Sequence, residues 1–344
     1  MTKNKIVWNT IFLLTVFLLT IYGVFYGEDL GAMMDALRKA DIRWLLPGVA
    51  LVTFFIWGES IIIWYMMRSF GIRLKKRICF LFSSVGFFFS CITPSATGGQ
   101  PMQIYFMKKE RIPIPFATVI LMIITITYKL VLVVVGLGVM CFGRGFMHRY
   151  LGGILPVFYL GVALNVFCVT FMTILVFHPI LAESVIEKGM NFMERFHILK
   201  RSQTRREKFH AAMQVYRETA VYLKEHGMVL FYVILITFVQ RMALFAVTWM
   251  VYLAFHMKGT SMWDVVFLQA VISVSVDMLP LPGGMGISES LFLKIFLPVF
   301  GAITLPAMVV SRGLGYYSQL FISALFTVVA QIYYSAVRSE SEKD

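Results

Sequence analysis

The stretch 117–142 is apolar almost from end to end and carries one charge, Lys129. A helix of about 20 residues crosses the hydrocarbon layer of a bilayer, where each main-chain polar group must be satisfied within its own segment. Comparable runs lie at 7–26, 45–67, 154–179, 228–256 and 307–335. Of the 344 residues, 59% are hydrophobic and 14% charged, whereas soluble domains carry roughly 25% charged residues. A soluble globule of this length cannot bury so much apolar surface. The composition excludes a cytosolic enzyme, a disordered chain and a small disulfide scaffold. Cys79, Cys91, Cys141 and Cys168 sit in apolar runs without metal or redox spacing and read as small buried hydrophobes. The run at 7–26 is too long for a signal-peptide core and lacks a cleavage pattern, so it reads as a retained first helix.

Two further apolar stretches are broken by Pro and Gly: 78–107 around Pro94–Pro101, and 265–300 around Leu279–Gly286. Each arm is too short to cross, so each stretch predicts a re-entrant hairpin. With the N-terminus inside, the cytoplasm receives Lys3, Lys5, the basic runs at 68–77, 108–111 and 183–226, then Arg338 and Lys343. The outside keeps only Arg38, Lys39, Arg43, Arg144, Arg149 and Lys258. The positive-inside rule selects this orientation, multi-pass in the cell membrane with both termini cytoplasmic. The expected fold class is an all-α polytopic membrane protein with about six full spans plus two re-entrant broken hairpins.

In that topology the hairpins enter from opposite faces, the pattern of an inverted-topology repeat. Residues 1–142 form the first repeat, 143–336 the second, and 337–344 a short cytoplasmic tail. Lys129 follows Gly99 at nearly the spacing at which Arg312 follows Gly284, and Glu59 precedes Gly99 much as Arg241 precedes Gly284. Chance spacing in an apolar chain is the competing reading. The polar connector at 183–226 holds Phe209, Met213, Tyr216, Ala220 and Leu223 at helical spacing, with Arg205, Arg206, Lys208, Arg217 and Lys224 around them. It predicts an amphipathic helix, either lying in the inner headgroup layer or packed across the ends of the spans. A nucleic-acid site is not expected, because aromatics placed for base stacking are scarce.

An ionisable residue inside the membrane is a functional candidate by default. Seven qualify: Glu59, Lys129, Arg241, Asp277, Glu289, Lys294 and Arg312. Mutual ion pairing that fixes helix register competes with function for this set, and Lys294 has the reach to snorkel to an interface. In the first break, Gly98 and Gly99 permit positive φ and close approach, Pro101 suits the first turn of a new helix, and Ser95, Thr97, Gln100 and Gln103 add neutral hydrogen-bonding groups. In the second, Gly283, Gly284 and Gly286 repeat this logic, with Ser288 as an expected helix cap. Unwound main chain beside a helix N-terminus suits a phosphate or carboxylate. Arg241 and Arg312 are the expected counter-charges, while Asp277 and Glu289 suit a proton or a headgroup ammonium. Plain turns between spans are the alternative. There is no Walker loop, nucleophile elbow or metal-binding acidic spacing, and no cofactor or metal is expected.

The segments Thr93–Pro101 and Leu281–Glu289 resemble the two signature segments of the lysylphosphatidylglycerol synthase transmembrane-region family, the flippase-like half of multiple-peptide-resistance factors. Ser311–Tyr317 is similar to that family's arginine-plus-aromatic segment, and the similarity covers nearly the whole chain. The resemblance implies a prokaryotic inner-membrane protein with two re-entrant segments that handles anionic or aminoacylated phospholipids. Full-length members add a soluble acyltransferase domain that uses aminoacyl-tRNA. This chain ends at Asp344, shortly after its last expected span, so that domain is not expected here. The expected function is lipid translocation. The alternatives are the lipid-binding half of a split lysyltransferase with a separate soluble acyltransferase, and a scaffold of envelope-lipid synthesis. Homo-oligomerisation stays open.

Overall fold

The computed structural model describes residues 30–93, 96–195, 203–279 and 286–341. Every regular element among them is helical. The expected first span at 7–26 lies outside the described residues, as do Ser95, Gly283 and Gly284.

Helix α1 is Leu30–Lys39 and α2 is Ile42–Ser69. Asp41 starts α2, its Oδ1 accepting the Arg43 N–H at 2.9 Å. Gly71 stops it at φ +80°, where the N–H groups of Gly71 and Ile72 return to the carbonyls of Arg68 and Met67. Phe55, Ile56, Ile62, Ile63 and Met66 are buried along α2 while Phe54 and Trp57 are exposed. A helix apolar on every face fits a lipid surround. The arms of the first broken stretch are α3 (Lys76–Ile92) and α4 (Gly99–Lys109). Pro101 falls in the first turn of α4, where its missing N–H removes no intrahelical bond. Next come α5 (Ile114–Phe142), the short α6 (Arg144–Tyr150) and α7 (Leu155–Phe177).

The connector is α8 (Pro179–Arg195) and α9 (Gln203–Glu225), followed by α10 (Gly227–Phe245) and α11 (Val247–Ala254) as one span. The second broken stretch is α12 (Met262–Val276) and α13 (Ile287–Phe300). The last helices, α14 (Thr304–Arg312) and α15 (Ser318–Ser341), join through a π-helical turn at Gly313–Tyr317. Among the described residues, five segments are long and apolar enough to cross a membrane: Ile42–Ser69, Ile114–Cys141, Leu155–Phe177, Gly227–Ala254 and Ile287–Ser335. The last contains the span expected at 307–335, fused to α13 and divided from it by Gly301 at φ +56°. The chain is an all-α, multi-pass membrane protein.

Helix α2 packs on α3, α10 and α11, and α3 packs on α4 and α15. Helix α5 packs on α4, α7, α10 and α12, and α12 in turn contacts α13. In the connector, Met213, Tyr216, Ala220 and Leu223 are buried, and α9 lies against α5, α7 and α10. Of the two readings of this helix, its apolar face is packed across the spans. Arg206 and Arg217 reach Glu194 and Glu183 of α8 at 3.1 and 3.3 Å. The cysteine expectation holds for Cys79 and Cys91, which are buried, whereas Cys168 is half-buried and Cys141 exposed.

The apolar interior divides in two. One cluster gathers Ile62, Ile63, Phe82, Ile120, Ile124 and Val233. The other gathers Val52, Val131, Leu132, Phe245, Phe292 and Phe296. Helices α2, α5 and α10 thread both, so the residues between their two contributions lie in a layer at mid-helix. Those residues include Glu59, Tyr128, Lys129, Gln240 and Arg241.

Candidate functional site

The mid-helix layer surrounds a cavity of about 650 Å³. Its wall takes Glu59 from α2, Gln103 from α4, Tyr128 and Lys129 from α5, and Arg241 from α10. Asp277 closes it from the end of α12. Both helix breaks reach this cavity: Ala96, Thr97, Gln100 and Pro101 from the first, Asp277 and Leu279 from the second. Leaving the helix at these points is what brings polar groups to the middle of an otherwise apolar bundle.

Lys129 Nζ lies 2.6 Å from Asp277 Oδ2, and Arg241 NH2 lies 3.7 Å from Asp277 Oδ1. One carboxylate thus faces two cations. Arg241 is only 8% exposed and stacks on the Tyr128 ring, with Cζ 4.8 Å from its centroid. Its Nε is buried and finds no hydrogen-bond acceptor among the described residues. Glu59 is 6% exposed and accepts from Gln103 Nε2 at 2.6 Å. The Tyr128 hydroxyl accepts from Gln240 Nε2 at 2.8 Å. Glu59 has no cation within 4.0 Å among the described residues, unlike Asp277 and Glu289. Two glycines make this network possible. A Cβ at Gly86 would collide with the Gln103 amide, and one at Gly58 would lie 2.8 Å from Gln240 Cγ.

A second cavity of about 170 Å³ adjoins the first and shares Leu244, Ser273, Tyr316 and Gln319 with it. It takes Ser288 from α13, Thr248 from α11 and Arg312 from the end of α14. Arg312 NH2 meets Glu289 Oε1 at 2.7 Å, and its Cζ lies 4.7 Å from the Tyr316 ring centroid. Tyr316 donates to the Cys91 carbonyl at 2.9 Å, tying the π-helical turn to the end of α3. A π turn widens one loop of the helix and rotates the next turns about its axis, a feature frequent at functional sites.

Of the residues expected from sequence, Thr97, Gln100, Gln103, Lys129, Arg241 and Asp277 line the larger cavity. Ser288 and Arg312 line the smaller, with Glu289 bonded to Arg312. Gln100 reaches Thr125 on α5. Two expectations change. Gly98 and Gly99 are close-packing residues: Gly98 has φ −80°, its N–H is donated to Thr93 Oγ1 at 2.9 Å, and Gly99 is pressed against Ser90 and the Gly86 carbonyl. Ser288 is not the cap of α13. Gly286 holds that position at φ +81°, and Ser288 Oγ donates to Glu289 Oε2 at 2.9 Å. Lys294 is exposed and lines neither cavity, in keeping with its reach to an interface. Glu59, one of the seven intramembrane ions, lines the larger cavity, and Tyr128, Gln240, Tyr316 and Gln319 join the site from outside the expected set. Glu59 had a signal, being a lone acid in an apolar span, but Tyr128 and Gln240 are ordinary polar residues in sequence.

A family model described as the lysylphosphatidylglycerol synthase TM region matches residues 7–323. No curated protein matches the chain, and no solved structure does.

Proposed function

Because the chain belongs to the lysylphosphatidylglycerol synthase TM-region family, we propose that it moves phospholipid headgroups across the bilayer through the mid-helix cavity. The observation that carries this reading is Arg241: a buried guanidinium on the cavity wall whose Nε finds no acceptor among the described residues. A buried donor without a partner costs about 1–3 kcal/mol, and more when charged. A phosphate oxygen is the acceptor a guanidinium fits best. Lys129 supplies a second cation, and Asp277 holds both cations in place between one lipid and the next. Thr97, Gln100 and Gln103 supply neutral contacts from the first break. Glu289 and Arg312 form a second station beyond Tyr316 and Gln319, and acyl tails stay in the bilayer.

The two-station arrangement is that of an inverted repeat, in which α2–α5 correspond to α10–α15. The packing supports that correspondence: α3 on α15 has its counterpart in α12 on α5, α3 on α4 in α12 on α13, and α4 on α5 in α13 on α14. Helices α2 and α10, equivalent in that reading, pack on each other. The charge pattern of the loops supports cytoplasmic termini.

The test is reconstitution in liposomes carrying tail-labelled phospholipid, with an impermeant quencher added outside. Wild-type protein is expected to expose the inner-leaflet label at least tenfold faster than protein-free vesicles, and Arg241→Gln to slow that exposure. A wild-type rate equal to that of empty vesicles refutes the reading.

A further inference from the structure

We propose that the larger cavity is selective for a zwitterionic headgroup of the phosphoethanolamine type, with Glu59 holding the ammonium and Arg241 the phosphate. The inference rests on the translocation reading for its ligand being a lipid, and adds the headgroup class and a binding role for Glu59.

Charge balance comes first. The cavity wall carries Glu59 and Asp277 against Lys129 and Arg241, two acids against two bases. Moving a net charge out of water into a poorly solvating site costs several kcal/mol unless it is compensated there. An anionic headgroup brings a net negative charge into a balanced wall, whereas a zwitterion leaves the balance unchanged. The +13 formal charge of the whole chain acts at the surfaces, where salt screens it.

The partners already taken narrow the choice further. Asp277 is committed to Lys129 and Arg241, and in the adjoining cavity Glu289 is committed to Arg312. Among the described residues, Glu59 is the cavity acid that keeps a neutral partner, Gln103, and has no cation within 4.0 Å. Phe55 and Phe87 line the same wall, with ring centroids 4.9 Å apart. A carboxylate beside aromatic faces is a setting that attracts an ammonium. Arg241, in the same cavity, is nine-tenths buried and lacks an acceptor at Nε among the described residues.

Glu59, Tyr128 and Arg241 line the same cavity, and the Tyr128 ring lies 4.8 Å from Arg241 Cζ.

Isothermal titration of the detergent-solubilised full chain tests this with two probes, dihexanoyl phosphatidylethanolamine and dihexanoyl phosphatidylglycerol. The ethanolamine lipid is expected to bind about tenfold tighter, the value of one charge-assisted contact of about 1.4 kcal/mol. Glu59→Gln should bring the two within about twofold, and Glu59→Asp should restore the preference. Equal affinities, a preference for the glycerol lipid, binding of neither, or a preference that survives Glu59→Gln each overturn the inference. If Glu59→Gln does not fold, the wild-type preference decides alone. Selective binding without lipid movement would keep this inference and refute translocation, while movement without selectivity would do the reverse.

Discussion

The contact between α3 and α4 offers a sharp test of what the double glycine is for. A Cβ at Gly99 would stand 2.7 Å from the Gly86 carbonyl oxygen and would overlap Ser90 Oγ. Ser90 can rotate, but the carbonyl belongs to the main chain inside α3, so the two helices must part by several tenths of an ångström. Overpacking of this kind costs roughly 1–3 kcal/mol. Because main chain has to move, the upper end applies, about 3 kcal/mol, or roughly a hundredfold in the folding equilibrium. Thermal unfolding of Gly99→Ala in detergent should show a midpoint lowered on the order of 5 °C. Adding Ser90→Gly removes one of the two collisions and should recover part of that loss. If Gly99→Ala leaves the midpoint unchanged yet abolishes lipid movement, the glycine serves ligand approach and the packing argument is wrong.

The ion pairs and the connector make two further outcomes checkable. Asp277→Asn leaves Lys129 and Arg241 facing each other without their shared anion, and should cost about 3 kcal/mol, the low end for a broken buried pair because the cavity partly solvates it. Lys129→Met in the same chain should restore most of the lost stability, and equal unfolding midpoints for wild type and Asp277→Asn would contradict the pairing. In the connector, Tyr216 donates to the Leu175 carbonyl at 3.2 Å, and burial pushes its phenol up to about 12. A phenol held neutral favours the fold below its unfolded value of about 10, and that contribution fades as pH rises from there through 12. Protease cleavage of α9 should therefore accelerate across that window in wild type but not in Tyr216→Phe.

Much of the architecture was legible because it obeys one-dimensional rules. Run length, apolar content and helix-breaking Pro and Gly depend only on neighbours in the chain, so the spans and both broken stretches were readable before any coordinates. The isolated ions were readable for the same reason: Glu59, Lys129, Arg241, Asp277 and Arg312 each interrupt an apolar segment. Their partners were not. Lys129 and Asp277 meet across 148 positions of sequence, and nothing local to either residue encodes the other. The glycines of the first break left two readings open for a related reason. Glycine serves both positive φ and close approach, and only the neighbouring Ser90 and Gly86 decide between them.

The sequence by itself determined that this chain is a bundle of membrane helices with two interruptions, since a stretch without water must satisfy its own backbone. Tertiary structure alone decided which charges neutralise one another and which stay open. That choice depends on which helix faces which, and so on packing between distant segments. Glu59 and Asp277 are alike as lone acids in apolar surroundings. Asp277 faces two cations because α12 ends beside α5 and α10, while Glu59 on α2 meets a glutamine of α4.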